Sequence, residues 1–139
     1  MKKHTLTRRL GAASTALGAL LLAGCAALGP STPEQIVQQR ATDYWKARIA
    51  GQVDNAYALS TPSYRKLRTS AQFKMQFGAG VSVERAEVTK VSCEAEKCTA
   101  QIKLDVKPAL MGVKMGTIAT YLDEVWLLED GQWWHYQEL

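Results

Sequence analysis

Cys98-Thr99-Ala100-Gln101-Ile102-Lys103-Leu104-Asp105-Val106 alternates without a fault. Cys98, Ala100, Ile102, Leu104 and Val106 point one way; Thr99, Gln101, Lys103 and Asp105 point the other. A period of two marks a β-strand with one face buried and one face wet. Strands of that kind belong to antiparallel sheets covered on a single side. Immediately upstream, Val81 and Val83 share one parity, Val88 falls on the other, and Val91 and Cys93 return to the first. The slip in phase predicts one long strand with a β-bulge near Arg85–Glu87. Glu94 to Lys97 then forms a four-residue loop, which brings Cys93 opposite Cys98.

Downstream the pattern continues as a meander. Pro108 ends the strand, and Ala109 to Gly116 connect to a third strand over Thr117–Glu129, rich in Ile, Thr, Tyr, Val and Trp. Asp130-Gly131 is a hairpin turn signal, and Trp133–Gln137 closes the sheet. Upstream the period is helical. Thr32, Pro33 and Gln35 supply a cap, a first-turn proline and a capping-box partner. Ile36, Val37, Ala41, Tyr44, Trp45, Arg48 and Ile49 then recur at spacings of three and four until Gly51, predicting a helix of about 17 residues. Val53, Ala56, Tyr57 and Leu59 mark a shorter helix, and Ser63–Leu67 a further turn or two after Pro62. Thr69 or Ser70 caps another short helix from Ala71 to Phe77, with Phe73 and Phe77 one turn apart, and Gly78 and Gly80 close this half. Helices first and strands after give an α+β domain, the long helix packed on one face of a curved antiparallel sheet of about four strands.

The front end has a different grammar. Lys2, Lys3, Arg8 and Arg9 precede a short apolar run, the first 24 residues hold no acid, and Leu22-Ala23-Gly24-Cys25 ends the run. Basic start, apolar middle and small residues before a cut make an export signal. Leu10 to Gly24 is only 15 residues with Ser14 and Thr15 inside it, short of the roughly 20 that a membrane span requires. Leu22-Ala23-Gly24-Cys25 resembles the lipobox of bacterial lipoproteins, which implies cleavage after residue 24 and acylation of Cys25. Residues 1–24 are then a lipoprotein signal peptide, 25–32 a lipid-anchored tether and 33–139 the folded domain. More than one acyl chain holds a protein firmly at a membrane. Ala26, where an Asp resembles an inner-membrane retention signal, favours the outer membrane, with the domain facing the periplasm.

Cleavage alters the electrostatics. The whole chain has 17 Lys and Arg against 13 Asp and Glu; four of the basic residues lie in the leader, so the mature part carries 13 of each. The sequence pI near 9.0 therefore belongs to the signal. A neutral domain without a basic cluster has no footprint for nucleic acid. Export also interprets the cysteines: with Cys25 acylated, Cys93 and Cys98 are an even pair in an oxidising compartment, which reads as a disulfide. Their C-x4-C spacing lacks the second ligand pair of a zinc site, and one histidine in the mature chain leaves little for transition metals.

Tyr44-Trp45, the run Gly51-Gln52-Val53-Asp54-Asn55-Ala56-Tyr57-Ala58-Leu59-Ser60, Pro62, and Tyr64-Arg65 resemble the helical half of NTF2-like proteins, also called the SnoaL-like or cystatin-like group. Val125-Trp126-Leu127-Leu128-Glu129-Asp130-Gly131-Gln132-Trp133-Trp134 resembles their final hairpin. The likeness spans about residues 33–138 and implies a cone: a long helix cradled by a bent sheet, often around a pocket. The group includes isomerases, dehydratases and non-enzymatic scaffolds, so it selects no chemistry. No catalytic residue carries over from it.

Within that frame the groups able to do chemistry are few. His135 lies among Trp133, Trp134 and Tyr136, and an acid on the neighbouring strand, Asp123 or Glu124, could partner it in proton transfer. Alternation places Tyr121, Asp123, Val125 and Leu127 on one face and Leu122, Glu124, Trp126 and Leu128 on the other. Glu124 on the apolar face would have a raised pKa, as a general base does; the plainer reading is a solvated or ion-paired side chain. Tyr121, Asp123, Glu124, Trp126, Trp133 and His135 are the candidate pocket residues, though aromatics near a sheet end are more often packing. No metal ligand set and no cofactor motif is legible. Three functions remain open: a non-catalytic envelope lipoprotein that binds a partner protein or a second copy, a module for a small apolar ligand in the cone, and a lyase or isomerase using His135, Glu124 or Asp123 as base.

Overall fold

The computed structural model describes residues 31–76, 81–108 and 116–139. The leader, Cys25 and most of the tether, Phe77 with Gly78 and Gly80, and the connection before Gly116 lie outside the described residues.

Helix α1 (Pro33–Ile49) starts where the capping box predicts. Thr32 Oγ1 accepts from the Gln35 amide at 3.3 Å, and Gln35 Oε1 accepts from the Thr32 amide at 3.0 Å. Gly51 follows its end with φ +70°, a left-handed conformation that glycine adopts without steric cost. Val37, Ala41, Tyr44, Trp45 and Ala47 are buried along one side, whereas Ile36 and Ile49, at the flanks of the stripe, stay partly exposed. Three short helices follow: α2 (Val53–Ala58), α3 (Pro62–Leu67) and α4 (Ser70–Met75). Thr61 caps α3, and a second capping box, Thr69 with Gln72, opens α4 one residue before the expected start.

Four strands form one antiparallel meander in the order β1 (Val81–Glu94), β2 (Lys97–Pro108), β3 (Ile118–Glu129), β4 (Gln132–His135). The alternation in β2 holds: Cys98, Ala100, Ile102 and Leu104 are buried and their neighbours half exposed. Where one bulge is expected near Arg85–Glu87 there are two, one on each side of that segment. Register shifts fall between Val83 and Arg85 and between Val88 and Lys90, leaving Glu84 and Thr89 as inserted residues. Two changes of parity take two insertions. The first moves Ala86 and Val88 onto the inner face, opposite Leu104 and Ile102; the second restores Val91 and Cys93 to it. Thr89 turns its hydroxyl across to Gln101, 3.2 Å from the carbonyl and 3.0 Å from Oε1. Cys93 and Cys98 are register partners and are joined by a disulfide.

The inner face of the sheet curls around α1, which packs chiefly against β1 and also touches β2 and β4. The core holds Val37, Tyr44, Trp45, Tyr64, Phe73, Ile102, Trp126 and Trp133. β4 ends at His135, two residues short of the expected Gln137, although the Tyr136 amide still donates to the Val125 carbonyl at 2.8 Å, and its other edge has a second partner. The His135 amide donates to the Leu59 carbonyl at 2.8 Å, and the Thr61 amide donates to the His135 carbonyl at 3.1 Å. The α2–α3 connection thereby lies along the free edge of β4 as a short parallel bridge. Buried Ser60 and Thr61 are polar residues satisfied by this junction.

Candidate functional site

Glu124 is the residue the core has to accommodate. It sits on the inner face of β3 opposite Ala100, whose small side chain leaves room beside it, and is only 7% exposed. The Trp45 indole, carried on α1, donates from Nε1 to Glu124 Oε1 at 2.9 Å. His135 Nε2 stands 3.6 Å from the same oxygen, too far for a hydrogen bond. Gln137 Nε2 lies 3.2 Å from His135 Nδ1 and also donates to Ser60 Oγ at 3.2 Å. An amide donor on Nδ1 leaves the ring proton on Nε2, aimed at Glu124. The result is a buried polar chain, Trp45–Glu124–His135–Gln137–Ser60, crossing from α1 through the sheet to the α2–α3 connection.

Aromatic rings enclose it. The His135 ring centroid is 4.3 Å from that of Tyr44 and 5.3 Å from that of Trp126. The Arg48 guanidinium lies 4.5 Å over Trp45 and 5.6 Å from the Tyr44 ring centre. Burial pushes the Glu124 carboxyl up to about 7, against the Trp45 hydrogen bond and the charge of Arg48, which pull it down. Burial pushes His135 down to about 3, and Arg48 adds in the same direction. Near neutral pH the histidine is thus uncharged, and the carboxyl holds its proton far more firmly than a solvated one. Glu124 Oε2 and Trp126 Nε1 have no hydrogen-bond partner among the described residues.

The sequence-based candidates separate cleanly. Glu124, Trp126, Trp133 and His135 share the inner face and are buried. Tyr121, 59% exposed, and Asp123, also exposed, lie on the outer face, so neither lines an interior pocket and Asp123 is no partner for His135. This corrects their inclusion, and the β3 alternation already contained the distinction. Trp126 and Trp133 are core residues. Trp45, Tyr44 and Arg48 were read as one helix stripe; that they meet Glu124 and His135 needed the tertiary pairing of α1 with β3 and β4. A cleft of about 370 Å3 lies beside the chain, lined by Tyr44, Arg48, Phe73, Gln76, His135, Gln137 and Glu138. Glu124 is not among its walls. Among the described residues no cluster of His, Cys, Asp and Glu could hold a metal ion, and no helix is long and apolar enough to cross a membrane.

No protein-family model matches the chain, and no curated protein matches it in sequence. Solved structures do match in shape. An SEC-C motif containing protein from Rhodopseudomonas palustris superposes with a TM-score of 0.54 at 12% identity, over 76% of this chain and 75% of its own. A Campylobacter jejuni protein provisionally described as an NTF2-like transpeptidase superposes with a TM-score of 0.51 at 9% identity, over 73% of this chain and 98% of its own. Identities this low speak for fold alone. The α+β architecture, with four helices and a curled four-stranded antiparallel sheet, is that of an NTF2-like cone.

Proposed function

We propose that this chain is an envelope lipoprotein, anchored through an acylated Cys25 at the outer membrane and facing the periplasm, whose NTF2-like domain is a non-catalytic module that engages a protein partner or a second copy. The observation that carries the non-catalytic reading is the filling of the cone by its own side chains. Tyr44, Trp45, Tyr64, Phe73, Trp126 and Trp133 are each at most 5% exposed. The one buried acid is hydrogen-bonded by Trp45 and walled off from the neighbouring cleft. A base must come within hydrogen-bond reach of the proton it takes, and no substrate atom reaches Glu124 through that packing. His135, pushed down to about 3 by burial, is too weak a base to hold a proton taken from a substrate near neutral pH. Transpeptidation needs an activated nucleophile. Among the described residues no hydroxyl or thiol hydrogen-bonds to His135, and Cys93 and Cys98 are spent on each other.

A second reading, a small-ligand module, is favoured by the cleft beside His135. Arg48, Gln76, Gln137 and Glu138 make its walls polar, so its ligand would be polar where the sequence pointed to an apolar one. Two experiments decide. Cells fed labelled palmitate should label the wild-type protein and not Cys25→Ser; equal labelling, or none, sinks the anchor. Titration with a panel of small polar solutes, followed by NMR shifts of the His135 and Gln137 side chains, should give no saturable change, whereas saturable binding would move the domain into the ligand-binding class.

A further inference from the structure

The mature chain is neutral as a whole and polarised within. Residues 31–76, the helical part, hold seven Lys and Arg (Arg40, Lys46, Arg48, Arg65, Lys66, Arg68, Lys74) against three acids (Glu34, Asp43, Asp54). Residues 77–139, the sheet part, hold six basic against ten acidic. By sequence, the helical part thus carries a surplus of four positive charges and the part that follows it a surplus of four negative ones. The helices also carry apolar side chains in water, several beside a base: Leu67 is 63% exposed next to Lys66, Met75 78% exposed next to Lys74, and Ile36 37% exposed on the first turn of α1. The half-buried Trp134 indole of β4 is flanked by two guanidinium groups carried on the helices, Arg40 at 4.8 Å and Arg65 at 5.0 Å. Exposed lysines beside exposed Leu and Met suit the boundary between headgroups and acyl chains, where apolar tips enter and cations stay with phosphates.

From these observations we infer that the helical layer is a membrane-facing surface that rests on anionic phospholipid headgroups, turning the acidic sheet away from the bilayer. The inference rests on the proposed Cys25 anchor, and two further facts select the occupant. Cys25 lies eight residues before Pro33, a reach of at most about 28 Å when extended, so α1 and the helices beside it stay close to the bilayer. The sign of the helical surplus is also the one an anionic surface attracts, and salt screens that attraction within a Debye length. A dipolar domain on a short leash is oriented even where its net charge is zero.

The test uses the lipidated chain in vesicles of phosphatidylcholine with and without 30% phosphatidylglycerol, each containing a headgroup-spin-labelled phosphatidylcholine. A fluorophore is placed on Lys66→Cys in α3 or on Lys103→Cys on the outer face of β2. With anionic lipid the α3 probe should be quenched at least about threefold more than the β2 probe, and 0.5 M salt or omission of phosphatidylglycerol should bring the two together. Equal quenching in anionic vesicles, with the protein floating alongside them, overturns the orientation and leaves the anchor standing. Protein that fails to float overturns the anchor and the orientation with it. In a second variant, Arg65→Ala with Lys66→Ala, a label on Arg68→Cys should lose at least half of the quenching it shows without those changes. Undiminished quenching there shows that the basic surplus is not what holds the helices down, and refutes the inference.

Discussion

Glu124 and His135 titrate in opposite senses, so replacing them one at a time should tilt the pH dependence of stability in opposite directions. The folded carboxyl is raised to about 7 from an ordinary 4.5. Its contribution is fully present below pH 4.5 and is lost as pH rises toward 7, because the unfolded chain releases a proton that the folded chain keeps. His135 is lowered to about 3 from 6.5. As pH falls below 6.5 the unfolded chain takes up a proton that the buried ring refuses, so stability is lost toward acid. Each slope is about 1.4 kcal/mol per pH unit. Between pH 4.5 and 6.5 both operate and cancel, leaving the wild type flat with respect to this pair. Glu124→Gln removes one slope, and stability relative to wild type should rise by about 2 kcal/mol from pH 4.5 to 6.5. His135→Gln should make it fall by about the same amount over the same window. Urea denaturation followed by tryptophan fluorescence, at half-unit steps of pH, measures both. Surface carboxylates are common to all three proteins and drop out of the differences. Parallel profiles for the two variants would falsify the burial of both groups, since a solvated Glu124 or His135 contributes no slope.

Three further perturbations follow from particular contacts. Trp45→Phe removes the donor to Glu124 Oε1 and leaves the carboxyl with no hydrogen bond; the loss should be about 1–3 kcal/mol, with the Glu124 pKa moving further up in a carbon-13 NMR titration. An unchanged pKa would mean that the indole does not hold the carboxyl. Breaking Cys93–Cys98 by the double Cys→Ala change should cost about 2 kcal/mol or less, because the loop is short and β1 already pairs with β2 over its length; loss of folding altogether would contradict that ranking. Gly51→Ala meets nothing within 4 Å, so its cost should be the conformational one alone, about 1 kcal/mol, measured as a shift of the thermal midpoint.

Local rules carried the reading of this chain a long way. The Thr32–Gln35 capping box, the phase of α1, the alternation in Lys97–Pro108 and the Asp130-Gly131 turn each act over a few residues, and each stands in the structure where the sequence places it. The bulges were half legible: the parity of Val81, Val83, Val88, Val91 and Cys93 shows that the phase slips, but locating Glu84 and Thr89 as the inserted residues takes the pairing with β2. The site was legible to the extent that face determines it. Glu124 on the apolar face of β3 is readable from alternation, and the same rule separates it from Tyr121 and Asp123. The Trp45 hydrogen bond spans 79 positions, and no local pattern signals it. The pairing of Leu59 and Thr61 with His135 was unreadable for the same reason, since a two-residue parallel bridge has no periodicity.

That bridge bears on when the protein can fold. The last strand is held by residues about 75 positions ahead of it, and its Trp133 and His135 complete the packing around Tyr44 and Trp126. Contacts of such long sequence separation form late and slowly, after a large loop has closed. The native core therefore forms only with β4 in place, and a chain cut after Gly131 is expected to lack the native near-UV circular dichroism of its tryptophans. For a protein proposed to be exported, a core that waits for residues 132–135 is one that the preceding helices and strands do not close by themselves.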